Sequence, residues 1–183
     1  MTAKRGVRTY QFDHTIKCAP ATHPNLSFFP RKIVSIPGEG GESIAGLLDR
    51  YGCGADASLI LKMDIEGDEW PILEQVERKH LQSFAQIICE FHGFNNAADQ
   101  DWYSRAKRVI EKLVADFAVV HVHGNKTEPL VSIENVPFPR ILEVTFANRA
   151  RYKFLASEET FPTPLDQPNI PNRPDLFLGR FLF

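Results

Sequence analysis

The sequence predicts an α/β domain with a mostly parallel sheet and an antiparallel pair of strands towards its C-terminal end. Three observations carry this. Short apolar runs alternate with amphipathic segments at helical spacing, the order expected of parallel strands joined by helical crossovers. The last two strand candidates, Phe117 to His123 and Ile141 to Ala147, have no helical pattern between them, so an antiparallel pair is expected there. The 183 residues, 43% of them hydrophobic, suffice for one domain with a substantial core.

Taken in order, Val7 to Phe12 mixes β-branched and aromatic residues with polar ones and reads as a strand ending at Asp13. A loop with Pro20 and Pro24 leads to a second short strand around Leu26 to Phe29. Ile33 to Pro37 and the Gly38 to Gly41 run punctuate the chain before a helix from Glu42 to Tyr51. In that helix Ile44, Leu47, Leu48 and Tyr51 recur at helical spacing, and Gly52 and Gly54 close it. Ser58 to Met63 has the pattern of a buried strand, followed by Asp64-Ile-Glu66-Gly67-Asp68-Glu69-Trp70-Pro71 and a helix to about Arg78. Asp68 is placed to cap that helix, and Pro71 suits its first turn.

Phe84 to Phe91 is a further apolar strand, running into Glu90-Phe91-His92-Gly93. A long amphipathic helix is predicted from about Asp99 to Asp116, with Trp102, Ala106, Val109, Ile110, Leu113 and Val114 as its apolar positions. Residues 1–156 are thus expected to form the α/β domain. From Ser157 onward the chain is too rich in Pro for regular helix. Yet Phe161, Leu165, Leu176, Phe177, Phe181 and Phe183 make residues 157–183 too apolar for a disordered tail, so an extended tail packed on the domain or on a partner is expected.

Composition excludes classes rather than choosing one. Lys plus Arg (21) nearly cancels Asp plus Glu (23), giving a formal charge of −2, which argues against nucleic acid and anionic membrane as partners. No apolar run approaches the roughly 20 residues needed to span a bilayer. The start, Met1-Thr-Ala-Lys-Arg-Gly6, lacks the apolar stretch of a signal peptide, so a cytoplasmic location is expected. Cys18, Cys53 and Cys89 are too scattered for a disulfide framework or a CxxC metal pair, and Cys89, inside an apolar run, reads as a small buried hydrophobe.

Open α/β sheets bind ligands at the carboxyl ends of their parallel strands. Here those ends carry Asp13 and His14, then Asp64 and Glu66, then Glu90 and His92, then His121 and His123. An acid after the first strand can accept hydrogen bonds from ribose hydroxyls, although an Asx-turn asks for the same residue. Gly67 allows close approach behind Asp64, and the helix start beyond it favours anionic groups. The carboxylates Asp64, Glu66 and Glu69 could equally compensate the helix dipole, and of the three Glu69 fits dipole compensation alone best. The histidines offer a general base. Acid and histidine together could bind a divalent ion, but the spacing assigns no metal.

Leu61-Lys-Met-Asp-Ile-Glu-Gly-Asp-Glu-Trp-Pro-Ile-Leu73 resembles the K-[IM]-D-[IV]-E-G-x-E signature of the FkbM-type, S-adenosylmethionine-dependent methyltransferases. Tyr10-Gln-Phe-Asp-His-Thr15 resembles that family's second strand, with Asp13 in the place of its acidic ribose ligand. Glu90-Phe-His92 and Val120-His-Val-His-Gly-Asn125 resemble its fifth and sixth strands, and Leu142-Glu-Val-Thr145 its last. The resemblance implies a Rossmann-like class I sheet and S-adenosylmethionine as cofactor. Asp13, His14, Asp64, Glu66 and Gly67 are its implied cofactor-side residues. Asp64 with His92 or His121 lies where catalysis is implied, the histidine taking a proton from a small-molecule or sugar hydroxyl as it is methylated. One departure is plain: no strand with a Gly-rich turn precedes Asp13, so the chain reads as an N-terminally truncated copy that starts at the family's second strand. An inactive binding module, and a metal-dependent hydrolase using the acid and histidine cluster, are the rival expectations. A second copy could pair through an exposed strand edge or the tail.

Overall fold

The computed structural model describes residues 6–36, 38, 40–51 and 58–180. Gly52, Cys53 and Gly54, Pro37 and Glu39, and Phe181 and Phe183 of the tail lie outside the described residues. The chain divides into two compact units, Met1–Gly52 and Cys53–Phe183.

In the first unit, β1 (Thr9–Phe12) and β2 (Leu26–Phe29) pair in parallel, with Thr9 opposite Leu26. Their connection contains Pro20 and Pro24 and forms no helix. Helix α1 (Ile44–Arg50) begins two residues later than its apolar spacing suggests. Ser43 caps it, its hydroxyl accepting from the Gly46 N–H at 3.2 Å. Glu42 instead forms a bridge with Ile33, and its buried carboxylate accepts hydrogen bonds from Arg31 (2.5 Å) and Arg50 (2.6 Å). Tyr10 stacks on Tyr51 with ring centroids 4.1 Å apart, and Phe12 stacks on Phe29. Among the described residues of this unit Val34, Ile44 and Leu48 are the buried apolar side chains, and the stacked aromatics are half-buried.

The second unit is built on a four-stranded mixed sheet in the order β3-β4-β8-β5. The strands are β3 (Leu59–Met63), β4 (Phe84–Phe91), β5 (Phe117–Asn125) and β8 (Ile141–Asn148). β3 and β4 are parallel, and β8 runs antiparallel between β4 and β5. The expected antiparallel pairing of the last two long strands is present, but β8 is inserted into the sheet and not added at its edge. A short hairpin absent from the sequence reading lies between them: β6 (Val131–Ile133) and β7 (Val136–Phe138). Glu134 and Asn135 both take positive φ at its two-residue turn, the geometry that matches strand twist.

Helix α2 (Glu69–Gln75) is shorter than the segment to Arg78, because Val76 turns extended (ψ 124°) before a second short helix, α3 (Arg78–Leu81). Asp68 stands at the N-cap but makes no side-chain cap hydrogen bond. Lys112, from α4 (Gln100–Asp116), places its Nζ 2.8 Å from the carbonyl oxygens of both Glu74 and Val76 and so satisfies the end of α2. Asp99 caps α4 by accepting from the Asp101 and Trp102 N–H groups. Val109 and Leu113 are fully buried, each worth roughly 2 kcal/mol of apolar burial, whereas Val114 is exposed. The core beneath α2 and α4 is Leu73, Ile87, Cys89, Phe91, Phe117 and Phe146, and burial raises the Cys89 thiol far above its ordinary value. Among the described residues no helix is long and apolar enough to cross a membrane.

The tail belongs to this unit. β9 (Thr160–Phe161) pairs antiparallel with β10 (Gly179–Arg180), and the buried Phe161 packs edge-on against His121.

Candidate active site

Register places the polar residues of the second unit in a row. Met63 is opposite Cys89, so Asp64 follows level with Glu90; Glu90 is opposite Glu143, and Glu143 opposite His123. Side chains alternate across a strand, so Glu90, Glu143 and His123 lie on the face opposite α2 and α4. Asn125 donates to Glu90 at 2.7 Å. Burial, then the neighbouring charges of Asp64 and Glu143, raise the Glu90 carboxyl above its ordinary value against the pull of Asn125.

At the end of β3 and β4 the chain builds a tighter arrangement. Glu66 adopts φ 59° and Gly67 φ 109°, turning the backbone inward so that the Ile65 and Gly67 N–H groups donate to Glu69 at 2.9 and 3.0 Å. Left-handed backbone is uncommon at a residue other than glycine and is held here by those two bonds. Glu69 is fully buried, and its Oε1 lies 3.1 Å from His92 Nδ1. The Trp70 indole N–H donates to the His92 carbonyl at 2.7 Å. The start of α2 therefore grips His92 by ring and by backbone. With Glu69 ionised, a carboxylate only accepts, and this contact then takes the Nδ1 proton and turns the Nε2 lone pair outward. Nε2 lies 3.6 Å from Glu66 Oε2, and Glu66 is 88% exposed.

The reading of Glu69 as dipole compensation alone is corrected by this geometry: Glu69 holds both the loop and the histidine. Its signal was present in the sequence as an acid three residues after another acid, but nothing local says that it faces inward. Asp64, Glu66 and His92 each bring one ligand atom within 4.8 Å of the others, a set that could hold a divalent cation. Lys62 approaches Asp64 at 3.8 Å, with both side chains exposed.

The structure does not bring His121 to this cluster. His121 lies on β5, three strands and about 14 Å of sheet from β3, and its Nε2 is 2.9 Å from Asp166 of the tail. Asp13 and His14 lie in the first unit. Asp13 ends β1 in an Asx-turn, its Oδ1 accepting from the Thr15 N–H (2.8 Å) and hydroxyl (2.6 Å), and these bonds lower its carboxyl below the ordinary value. A surface depression of about 710 Å³ lined by Gln82, Asp116, Asn148 and Arg149 lies at the opposite end of the strands and contains none of these candidates.

No family model matches the chain, and no curated protein or solved structure matches it.

Proposed function

We propose that the chain is an S-adenosylmethionine-dependent O-methyltransferase domain of the FkbM type, acting on a small-molecule or sugar hydroxyl. The observation that carries this reading is the Glu69–His92 pair, set at the carboxyl end of β4 beside the Asp64-Ile-Glu-Gly67 segment. The strand arrangement supports it: the last long strand runs antiparallel between the two that resemble the family's fifth and sixth. The donor set also suits the cofactor, since Asp64 and Glu66 offer exposed carboxylates to a cationic sulfonium, and a Cβ placed on Gly67 would meet nothing within 4 Å.

When bound, the cofactor would supply an electrophilic methyl group to the acceptor hydroxyl oxygen. His92 Nε2 takes the proton from that oxygen. Glu69 fixes the tautomer that makes this transfer available and stabilises the imidazolium it produces. Asp64 and Glu66 hold the cationic side of the site.

Isothermal titration of the full chain with S-adenosylmethionine tests the reading, followed by transfer of a labelled methyl group to a panel of hydroxyl compounds. Saturable binding, lost in Asp64→Ala and retained in His92→Ala, is expected. A folded chain without affinity for the cofactor would overturn the enzyme reading and leave a binding module. The grouping of Asp64, Glu66 and His92 favours one other reading, a metal-dependent hydrolase. Metal retained after purification without chelator, and lost in Asp64→Ala together with ester or phosphoester hydrolysis, would select it.

A further inference from the structure

Two histidines of β5 are each engaged by a carboxylate far along the chain. His121 Nε2 lies 2.9 Å from Asp166, and His123 Nε2 lies 2.8 Å from Asp175. Both aspartates belong to the Pro-rich tail, and both histidines lie on the sheet face opposite the helices. The tail follows that face so closely that a Cβ on Gly124 would stand 2.8 Å from Leu176 Cδ2 and 3.2 Å from Leu178 Cδ2.

The described tail residues make other attachments as well. β9 and β10 pair with each other and not with the main sheet. Phe161 is buried, but Leu165 is 91% and Phe177 73% exposed, so much of the tail's apolar surface stays in water. Asn169 donates to Glu143 at 3.1 Å, and Lys126 Nζ reaches the Pro174 carbonyl at 3.3 Å. Among the described residues the two histidine–aspartate pairs are the tail's charged links to β5.

We propose that residues 160–180 form a proton-controlled strap over the Glu143–His123 face, clasped by His123–Asp175 beside the His121–Asp166 contact, and released when His123 loses its proton. The inference is independent of the methyltransferase reading.

The electrostatics around His123 give the direction. Asp175 and Asp166 face it from the tail and Glu143 faces it from β8, with Glu90 one strand further on, tied to Asn125. Burial pulls the His123 imidazole down, but Asp175, Glu143 and Asp166 together outweigh burial and hold it above its ordinary value. Asp166 is opposed by burial too, yet the Thr163 N–H and His121 keep its carboxyl low, so it stays ionised. A basic group raised on docking contributes fully below its free value of about 6.5 and loses that contribution as pH climbs through the docked value. Once the imidazolium proton leaves, the carboxylates of Asp166, Asp175 and Glu143 face one another with little to offset them. Release uncovers His123 and frees Glu143 from Asn169, next to Glu90 in the polar row.

Hydrogen–deuterium exchange on the full chain tests this. The readouts are the Leu178 amide, which bonds Phe161, and the Thr163 amide, which bonds Asp166, each referenced to β4 core amides at the same pH. Relative protection should fall by roughly threefold or more from about pH 6 to about pH 9. Asp175→Asn should lower protection at the acid end and flatten the slope, and His123→Gln should flatten it as well. A ratio that does not change with pH in the parent chain overturns the proposal. So does an Asp175→Asn variant that keeps the full slope. Should His123→Gln fail to fold, the parent profile and Asp175→Asn still decide.

Discussion

Glu69 decides the chemistry of the site because its carboxylate has no solvent to fall back on. It is fully buried and accepts from two backbone N–H groups and one imidazole. Bonds to a charged group are worth about 1.5–3 kcal/mol each when a partner is removed, and buried donors left unpaired add to the loss. Glu69→Ala should therefore cost about 3 kcal/mol or more in urea unfolding. His92→Ala, which leaves the two N–H bonds intact, should cost far less in the same assay. If the site transfers methyl groups, His92→Ala should lower turnover roughly 100-fold or more, the usual contribution of a general base, with cofactor affinity unchanged. Glu90 behaves in the opposite sense. An acid raised by burial penalises folding once pH passes its free value, so Glu90→Gln should stabilise the chain at neutral pH while its amide oxygen still accepts from Asn125. Urea midpoints of the two chains at pH 7 and at pH 4 check this, the gain vanishing at the lower pH. Asp64, Glu66 and His92 were legible in the sequence because they sit at strand ends. The inward turn of Glu69 was not, since it depends on the left-handed backbone at Glu66 and on a histidine 23 residues away.

At the scale of elements, period and punctuation were enough wherever an element is long. β4 and α4 fall where their apolar spacing puts them, and Asp99 supplies the cap its residue type offers. Asp99→Ala should cost about 1 kcal/mol, readable in the same unfolding curves, because two N–H groups lose their acceptor. The failures have physical causes. α2 stops at Gln75 because Lys112, 37 residues further on in sequence than that last helical residue, satisfies its terminal carbonyls and lets Val76 turn extended. The β6–β7 hairpin is three residues a side with a Pro in one strand, too little pattern to register, and its turn is Glu-Asn where glycine would have announced it. The seating of β8 between β4 and β5 is a matter of pairing order, which periodicity cannot encode. The tail's two histidine–aspartate contacts span 45 and 52 residues, and no local signal joins His121 to Asp166 or His123 to Asp175.

For the whole molecule, these charges set a stability profile with two limbs. On the acid side, Glu74 is held low by Arg108 and Arg105, Asp116 by Arg78 and Gln82, and Glu42 by Arg50 and Arg31. Each has a depressed carboxyl, so its stabilisation is present above the free value of about 4 and lost as pH falls through the lower folded value. In each case a buried or half-buried acid meets exposed cations that salt can reach, so these three acids, each shared between two partners, give a shallow acid limb that high salt flattens further. On the alkaline side the raised His123 has the opposite sign: its contribution is complete below about 6.5 and disappears as pH rises through its folded value. The two limbs differ in cooperativity. Arg78, Gln82 and Asp116 tie α3 to the end of α4, and Glu74 with Arg105 and Arg108 ties α2 to α4, so the acid limb should move global unfolding. The short contact of His123 is to Asp175 of the tail (2.8 Å) and its contact to Glu143 of β8 is longer (3.5 Å), so the alkaline limb should show first as local loss of protection at Leu178 and Thr163, before the urea midpoint of the core shifts. Parallel urea curves and exchange profiles from about pH 3 to about pH 9 separate the two. A core midpoint that drops at alkaline pH in step with tail exchange would mean that the tail is an integral part of the cooperative core.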